Sequence, residues 1–134
     1  MNHSLLKNEL FKMIEKVHIN GDILSASIKI DPEFFIFKAH FPDNPVLPGF
    51  CQIQLVLLAV EKALDQMPAL SSVKRCKFYN IVKPNDLLQL ECSITKLENG
   101  MGLKAKIRKN QDNDVKISFI NIFASLNNER CEYA

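Results

Sequence analysis

Gly49-Phe50-Cys51-Gln52-Ile53-Gln54-Leu55-Val56-Leu57-Leu58-Ala59-Val60-Glu61-Lys62-Ala63-Leu64-Asp65-Gln66 is the stretch that decides the fold, because no proline interrupts it and only Gln52 and Gln54 are polar ahead of Glu61. Ile53, Leu57, Val60 and Leu64 fall on one helical stripe, and Val56, Leu58 and Ala59 fill its flanks. A helix apolar nearly all round belongs inside something. At about 1.5 Å per residue it spans about 27 Å, the length of a strand of about eight residues, so a curved sheet can wrap it.

The flanking sequence supplies that sheet. Upstream, Asn20-Gly21 signals a turn, and Asp22 to Ile30 alternates Leu24, Ala26, Ile28 and Ile30 against Ile23, Ser25, Ser27 and Lys29, as a half-buried strand does. Downstream of Met67-Pro68 the period changes. Ser72 to Phe78, Leu87 to Lys96, Leu103 to Lys109 and Val115 to Ser125 read as strands separated by Lys83-Pro84-Asn85-Asp86, Glu98-Asn99-Gly100 and Asn110-Gln111-Asp112-Asn113, all turn chemistry. The last three strands form an antiparallel meander. Ahead of the first strand, Leu5, Leu6, Leu10, Met13, Ile14 and Val17 repeat at helical spacing with Ser4 as N-cap, predicting an amphipathic helix over 4–17 within an N-terminal helical segment 1–20. An early strand, a buried helix over 49–66 and a long antiparallel sheet make an α+β chain in which the sheet wraps the helix, the hot-dog arrangement.

The chain of 134 residues is sized for one domain, 1–134, and its 47% hydrophobic and 24% charged residues fit a globular core. The formal charge is +2, with basic residues scattered, which argues against a nucleic-acid module. The longest apolar run, Leu55 to Val60, is far too short to span a membrane, and no N-terminal stretch reads as a signal peptide, so a cytoplasmic protein is expected. Cys51, Cys76, Cys92 and Cys131 form no C-x-x-C pair and read as reduced thiols without a metal; Cys51, near a helix start, is a minor candidate nucleophile. No glycine-rich phosphate loop is present, so nucleotide chemistry is not expected.

Between Pro32 and Pro48 the chain holds four prolines and Phe34, Phe35, Phe37 and Phe41, which predicts a loop of unusual apolarity; Phe34 and Phe37 are expected in the core. Pro42, Pro45 and Pro48 restrict this loop and the residues before them, fixing His40 and delivering the chain into the buried helix at Gly49. The free amides there carry partial positive charge and suit a carbonyl oxygen that gains negative charge.

His40-Phe41-Pro42-x-x-Pro45-Val46-Leu47-Pro48-Gly49 resembles the active-site motif of the 3-hydroxyacyl-[acyl-carrier-protein] dehydratases of fatty-acid synthesis, the FabZ/FabA-like hot-dog enzymes. The similarity runs from about Asp22 to Leu126, through Asp31-Pro32-Glu33-Phe34-Phe35 on one side and Val73 to Asp86 on the other. It implies a hot-dog homodimer or higher oligomer, an acyl chain in an interface tunnel, and a substrate carried on the phosphopantetheine of an acyl carrier protein or on coenzyme A, with no other cofactor and no metal. It further implies His40 as the proton-transfer residue and the Gly49 amide as the group that polarises the thioester carbonyl. Pro48, Phe41 and Phe50 stand beside them as substrate-contact candidates.

The resemblance breaks at one place. The family's second catalytic residue, a carboxylate contributed by the opposite subunit, falls on Gln54 here. An amide orients a hydroxyl or a water but supplies no proton to a departing hydroxyl, an effect worth about 10²- to 10⁴-fold. Glu61 lies about 10.5 Å further along the helix and replaces it poorly. The readings are therefore a dehydratase with His40 as acid and base and Gln54 as orienting residue, a thioesterase in which Gln54 orients water, or a non-catalytic acyl-thioester-binding subunit of a heterodimer whose partner supplies the carboxylate. Gln52 and Gln54 also read as polar residues at a dimer seam. Lys74, Arg75, Lys77, Lys104, Lys106, Arg108 and Lys109 read as a solvated face, or as a meeting place for an acidic carrier protein.

Overall fold

The computed structural model describes residues 4–39, 42–110 and 114–126. The elements run α1 (Leu5–Met13), β1 (Ile14–Asn20), β2 (Ile23–Lys29), α2 (Phe35–Ala39), α3 (Gly49–Leu64), β3 (Pro68–Phe78), β4 (Leu87–Leu97), β5 (Gly100–Asn110) and β6 (Asp114–Leu126). Among the described residues six strands form one sheet in the order β1-β2-β4-β5-β6-β3, with every neighbouring pair antiparallel. The expected meander is β4-β5-β6. This is the hot-dog fold read from the sequence.

Helix α3 forms the axis. Cys51, Gln52 and the unbroken run Leu55 to Val60 are all buried, against Leu24, Ala26 and Ile28 of β2, Leu88, Leu90, Cys92 and Ile94 of β4, Leu103, Ala105 and Ile107 of β5, and Ile120 and Ile122 of β6. At roughly 1.5 to 3 kcal/mol for each fully buried aliphatic side chain, this shared core is the main force holding helix and sheet together. The helix ends at Leu64, two residues before the predicted boundary, because Asp65 turns into the left-handed region (φ 54°) and donates its amide to the Glu61 carbonyl at 2.8 Å. Aspartate tolerates that conformation better than most residues.

The N-terminal segment departs from its predicted helix over 4–17. Ser4 caps α1 as expected, its side chain accepting from the Lys7 amide, but the helix stops at Met13 and 14–20 is strand β1. Ile14 pairs with Ile28, and a bulge between Glu15 and His18, with Lys16 at φ 53°, carries the strand alongside β2. Sheet pairing has overridden a helical spacing that Ile14 and Val17 continue by coincidence. The Lys62 ammonium closes the junction, donating to the Ile14 carbonyl at 2.6 Å and lying 4.7 Å from the centre of the Phe11 ring.

The proline-rich connection also differs from a plain loop, since Phe35–Ala39 forms the short helix α2. Phe34 is wholly buried and stands edge-on to Phe35 and Phe37 at 5.4 and 5.7 Å, which anchors that turn in the core. The turn after β3 is held by Asp86, which accepts the Lys83 amide at 2.8 Å and pairs with Lys109 at 3.2 Å, while the backbones of Ile30 and residues 85–86 exchange two hydrogen bonds. No helix among the described residues is long and apolar enough to cross a membrane.

Candidate active site

The site is built where the proline-rich segment enters α3. Leu47 is buried and donates its amide to the Val82 carbonyl at 2.8 Å, which ties the segment to the connection between β3 and β4. Pro48 follows in extended conformation (φ −62°, ψ 151°) as N-cap, without a side-chain hydrogen bond, and the first turn of α3 contains no acidic residue. The amides at Gly49 and Phe50 therefore start a helix whose positive end is met by no acidic side chain of its own first turn. Gly49 has a steric reason to be glycine: a Cβ there would stand 2.9 Å from Cζ of Phe78. The Phe78 ring thus lies directly on the backbone that opens the helix.

Phe50 is half exposed beside this point, and Phe78, which packs on Gly49, is exposed too, so an apolar rim borders the helix start. His40 and Phe41 lie outside the described residues. Gln54 is half-buried and borders a separate cleft of about 240 Å³ with Lys7, Leu57, Leu58, Glu61, Met67, Pro68, Ala69 and Leu70. At 3.6 residues per turn, Gly49 and Gln54 stand about 140° apart around the helix axis, so Gly49 meets Phe78 while Gln54 meets the first residues of β3. Glu61 shares the cleft with Gln54.

Gln52 does not sit at a seam in this chain. Its side chain is buried and its Oε1 accepts the hydroxyl of buried Ser118 at 2.7 Å, joining the first turn of α3 to β6. Ser118 escapes the sequence reading because a register shift between Ile107 and Arg108 lets both Ile117 and Ser118 be buried, which breaks simple alternation; the signal is a lone hydroxyl in an apolar strand. Cys51 is wholly buried, and burial pushes its thiol pKa up to about 12, so it stays protonated and is a poor nucleophile. Cys76 and Cys92 are likewise free thiols, and Cys131 lies outside the described residues. Among the described residues no cluster of His, Cys, Asp or Glu is arranged to hold a metal ion.

A family model named ApeI-like and described as ApeI dehydratase matches residues 16–118, a span that includes β2 through β5, the start of β6, the whole proline-rich segment and α3. The chain belongs to the ApeI-like dehydratases. This ApeI-like chain is 33% identical over 75 residues to the 3-hydroxyacyl-[acyl-carrier-protein] dehydratase FabZ of Clostridium acetobutylicum, covering 51% of this chain and 53% of that one. The chain thus spans about half the length of that curated relative. Among solved structures it is similar to the dehydratase heterocomplex ApeI:P from Xenorhabdus doucetiae, with a TM-score of 0.70, 22% identity, and coverage of 84% of this chain and 96% of that one. It is also similar in fold to the putative thioesterase yhdA from Lactococcus lactis, with a TM-score of 0.66, 13% identity, and coverage of 92% and 98%. Both likenesses are likenesses of the hot-dog fold.

Proposed function

We propose that this ApeI-like dehydratase removes water from a 3-hydroxyacyl thioester, borne by an acyl carrier protein or coenzyme A, to give the trans-2-enoyl thioester. The observation that carries the reading is the start of α3, a helix terminus with no side-chain cap, packed on Phe78 and preceded by the proline-fixed motif of His40. The Gly49 amide donates to the thioester carbonyl and holds the negative charge that develops when the α-proton leaves. His40 takes that proton and returns it to the departing hydroxyl, so that the C–O bond breaks, the double bond forms and water carries the proton away. Phe50 and Phe78 line the approach of the acyl chain, with Pro48 beside it.

The angular separation of Gly49 and Gln54 makes one chain insufficient. The two residues face different sides of α3, so a site that uses both takes Gly49 and His40 from one chain and Gln54 from another. Strand β3 offers the place for the second chain: it is the last strand of the sheet, nearly bare along its length, with Leu70, Val73 and Phe78 exposed, and its start borders the Gln54 cleft. A second copy pairing there extends the sheet across a two-fold axis. A second reading is favoured by the amide at residue 54: the neighbour from Xenorhabdus doucetiae is described as a heterocomplex, and pairing of this chain with a different hot-dog chain would bring in the carboxylate that residue 54 lacks.

The deciding experiment follows 2-enoyl product and free thiol together during incubation of purified protein with 3-hydroxyacyl carrier protein, beside His40→Ala. Enoyl product that disappears in the variant supports the proposal. Thiol release assigns the protein to thioester hydrolysis instead, and absence of both products with substrate still bound supports the heteromeric reading.

A further inference from the structure

The start of α3 is held differently from the rest of the helix. Leu55 to Val60 are all buried, but within residues 49–54 only Cys51 and Gln52 are, while Gly49 is half-buried and Phe50 half exposed. A helix start of this kind is ordinarily fixed by a side chain that bonds its free amides. Pro48 makes no such bond, and a cap would compete for the amides that the proposed reaction uses.

What fixes the turn instead comes from the sheet. Phe78 of β3 and Ser118 of β6 are register partners, and each meets one residue of the turn: the Phe78 ring lies against Gly49, and the Ser118 hydroxyl donates to Gln52 Oε1 at 2.7 Å. Gln52 follows Gly49 by three residues, so the two stand about 60° apart around the helix axis and about 4.5 Å apart along it. The irregular stretch of β6 before Ser118 also grips the chain that follows Phe78. The Ile117 carbonyl accepts the Tyr79 amide at 2.7 Å, and the Lys116 carbonyl accepts the Asn80 side-chain amide at 2.8 Å. On the other side of Gly49, the Leu47 amide reaches the Val82 carbonyl of the same connection. Residues 78–82 and 116–118 thus form a frame around the helix start, and Gln52 bonds the turn to it.

Stability alone does not call for a glutamine at this place. Ser118 occupies its Oε1, but no acceptor among the described residues takes a hydrogen bond from its Nε2, and an apolar pair of similar shape would serve a buried site about as well. Apolar packing has no direction, whereas a hydrogen bond has one. The pair therefore adds a set rotation to a turn that packing leaves loose.

We infer that Gln52 and Ser118 are positioning residues, whose bond sets the rotation of the first turn and so aims the Gly49 amide at the thioester carbonyl in place of a cap. The inference rests on the dehydratase reading above and adds what keeps its carbonyl donor in line.

The test separates aim from stability. Ser118→Ala and Gln52→Met/Ser118→Ala are compared with wild type in urea unfolding and in turnover of 3-hydroxyacyl carrier protein. The double variant, with no polar group left unpaired, is expected to unfold closer to wild type than Ser118→Ala does. In both variants kcat is expected to fall about tenfold with KM nearly unchanged, since a misaimed donor forfeits part of the roughly 10²- to 10³-fold that an oxyanion donor contributes. Recovery of kcat along with stability in the double variant overturns the inference. A second readout needs no turnover. In His40→Ala protein, the infrared carbonyl stretch of bound, isotope-labelled 3-hydroxyacyl thioester is expected to lie below that of the free thioester, and to return toward it when Ser118→Ala or the double change is added. An unchanged stretch overturns the inference. A stretch that depends on the pair, without enoyl product from wild type, upholds the positioning role and rejects dehydration; enoyl product whose kcat ignores the pair does the reverse.

Discussion

The Ser118 hydroxyl donates to Gln52 Oε1 at 2.7 Å inside the core, so the first turn of α3 and strand β6 are joined by a polar bond that water does not reach. Removing the donor leaves a buried acceptor unpaired, which costs about 1 to 3 kcal/mol. Ser118→Ala is expected to lower unfolding free energy in urea by that amount. Gln52→Met/Ser118→Ala, which removes both partners, is expected to lose less than the two single changes summed, and additivity would show that the bond carries little energy.

Gly49→Ala drives a methyl group into the Phe78 ring. Overpacking of this kind costs about 1 to 3 kcal/mol unless the neighbour yields, and here yielding displaces the amide proposed to hold the thioester carbonyl. The variant is expected to lose turnover out of proportion to its stability. Phe78→Leu in the same chain is expected to restore part of it, which a kcat comparison across the four proteins checks.

Gln54→Glu supplies the proton donor that the amide lacks. If the partner's site receives it in register, kcat for dehydration is expected to rise by up to about 10²-fold, the lower end of what a positioned general acid contributes. A fall instead would assign Gln54 an orienting role that a carboxylate cannot fill.

Shared sites have a signature in mixed dimers. Neither His40→Ala nor Gln54→Leu protein is expected to be active alone, yet unfolding and refolding them together pairs an intact His40 with an intact Gln54 in one site of each hybrid. For random pairing about one quarter of wild-type activity is expected to return. Zero recovery would place both residues in the same chain's site.

Burial of Cys51 and Cys92 fixes a pH response. Each thiol pKa is pushed from 9.0 to about 12 by loss of solvation. The folded state therefore holds protons that the unfolded chain releases, and stability is fully present below pH 9 and lost as pH rises toward 12. Urea unfolding between pH 7 and pH 11 is expected to show a plateau and then a decline, with a shallower decline in Cys92→Ala.

The fold was legible because its main elements carry strong, unmixed periods. Helix α3 is apolar nearly all round, and β2, β4 and β5 alternate in the open. The N-terminal error came from Ile14 and Val17, which satisfy helical spacing and strand pairing equally well; only β2, by offering Ile28 to Ile14, decides between them. For the site, Gly49 and its proline approach were visible as a motif, but its contact with Phe78 lies 29 residues away in sequence and no local pattern reports it. Ser118 was hidden by the bulge beside it, and its place opposite Phe78 depended on strand order, which spacing alone does not give.

The unbroken burial of Leu55 to Val60 means that α3 has no bare side onto which it can roll. A rod packed at every angle behaves as a fixed spindle: it neither slides nor turns without emptying six filled sockets at once. Gly49 and Gln54, five residues apart on that spindle, keep their angle and their rise of about 7.5 Å whatever binds around them. If the chain takes acyl groups as proposed, adaptation to their length falls to the walls, the rim around Phe50 and Phe78 and the cleft beside Leu70, while the axis stays constant.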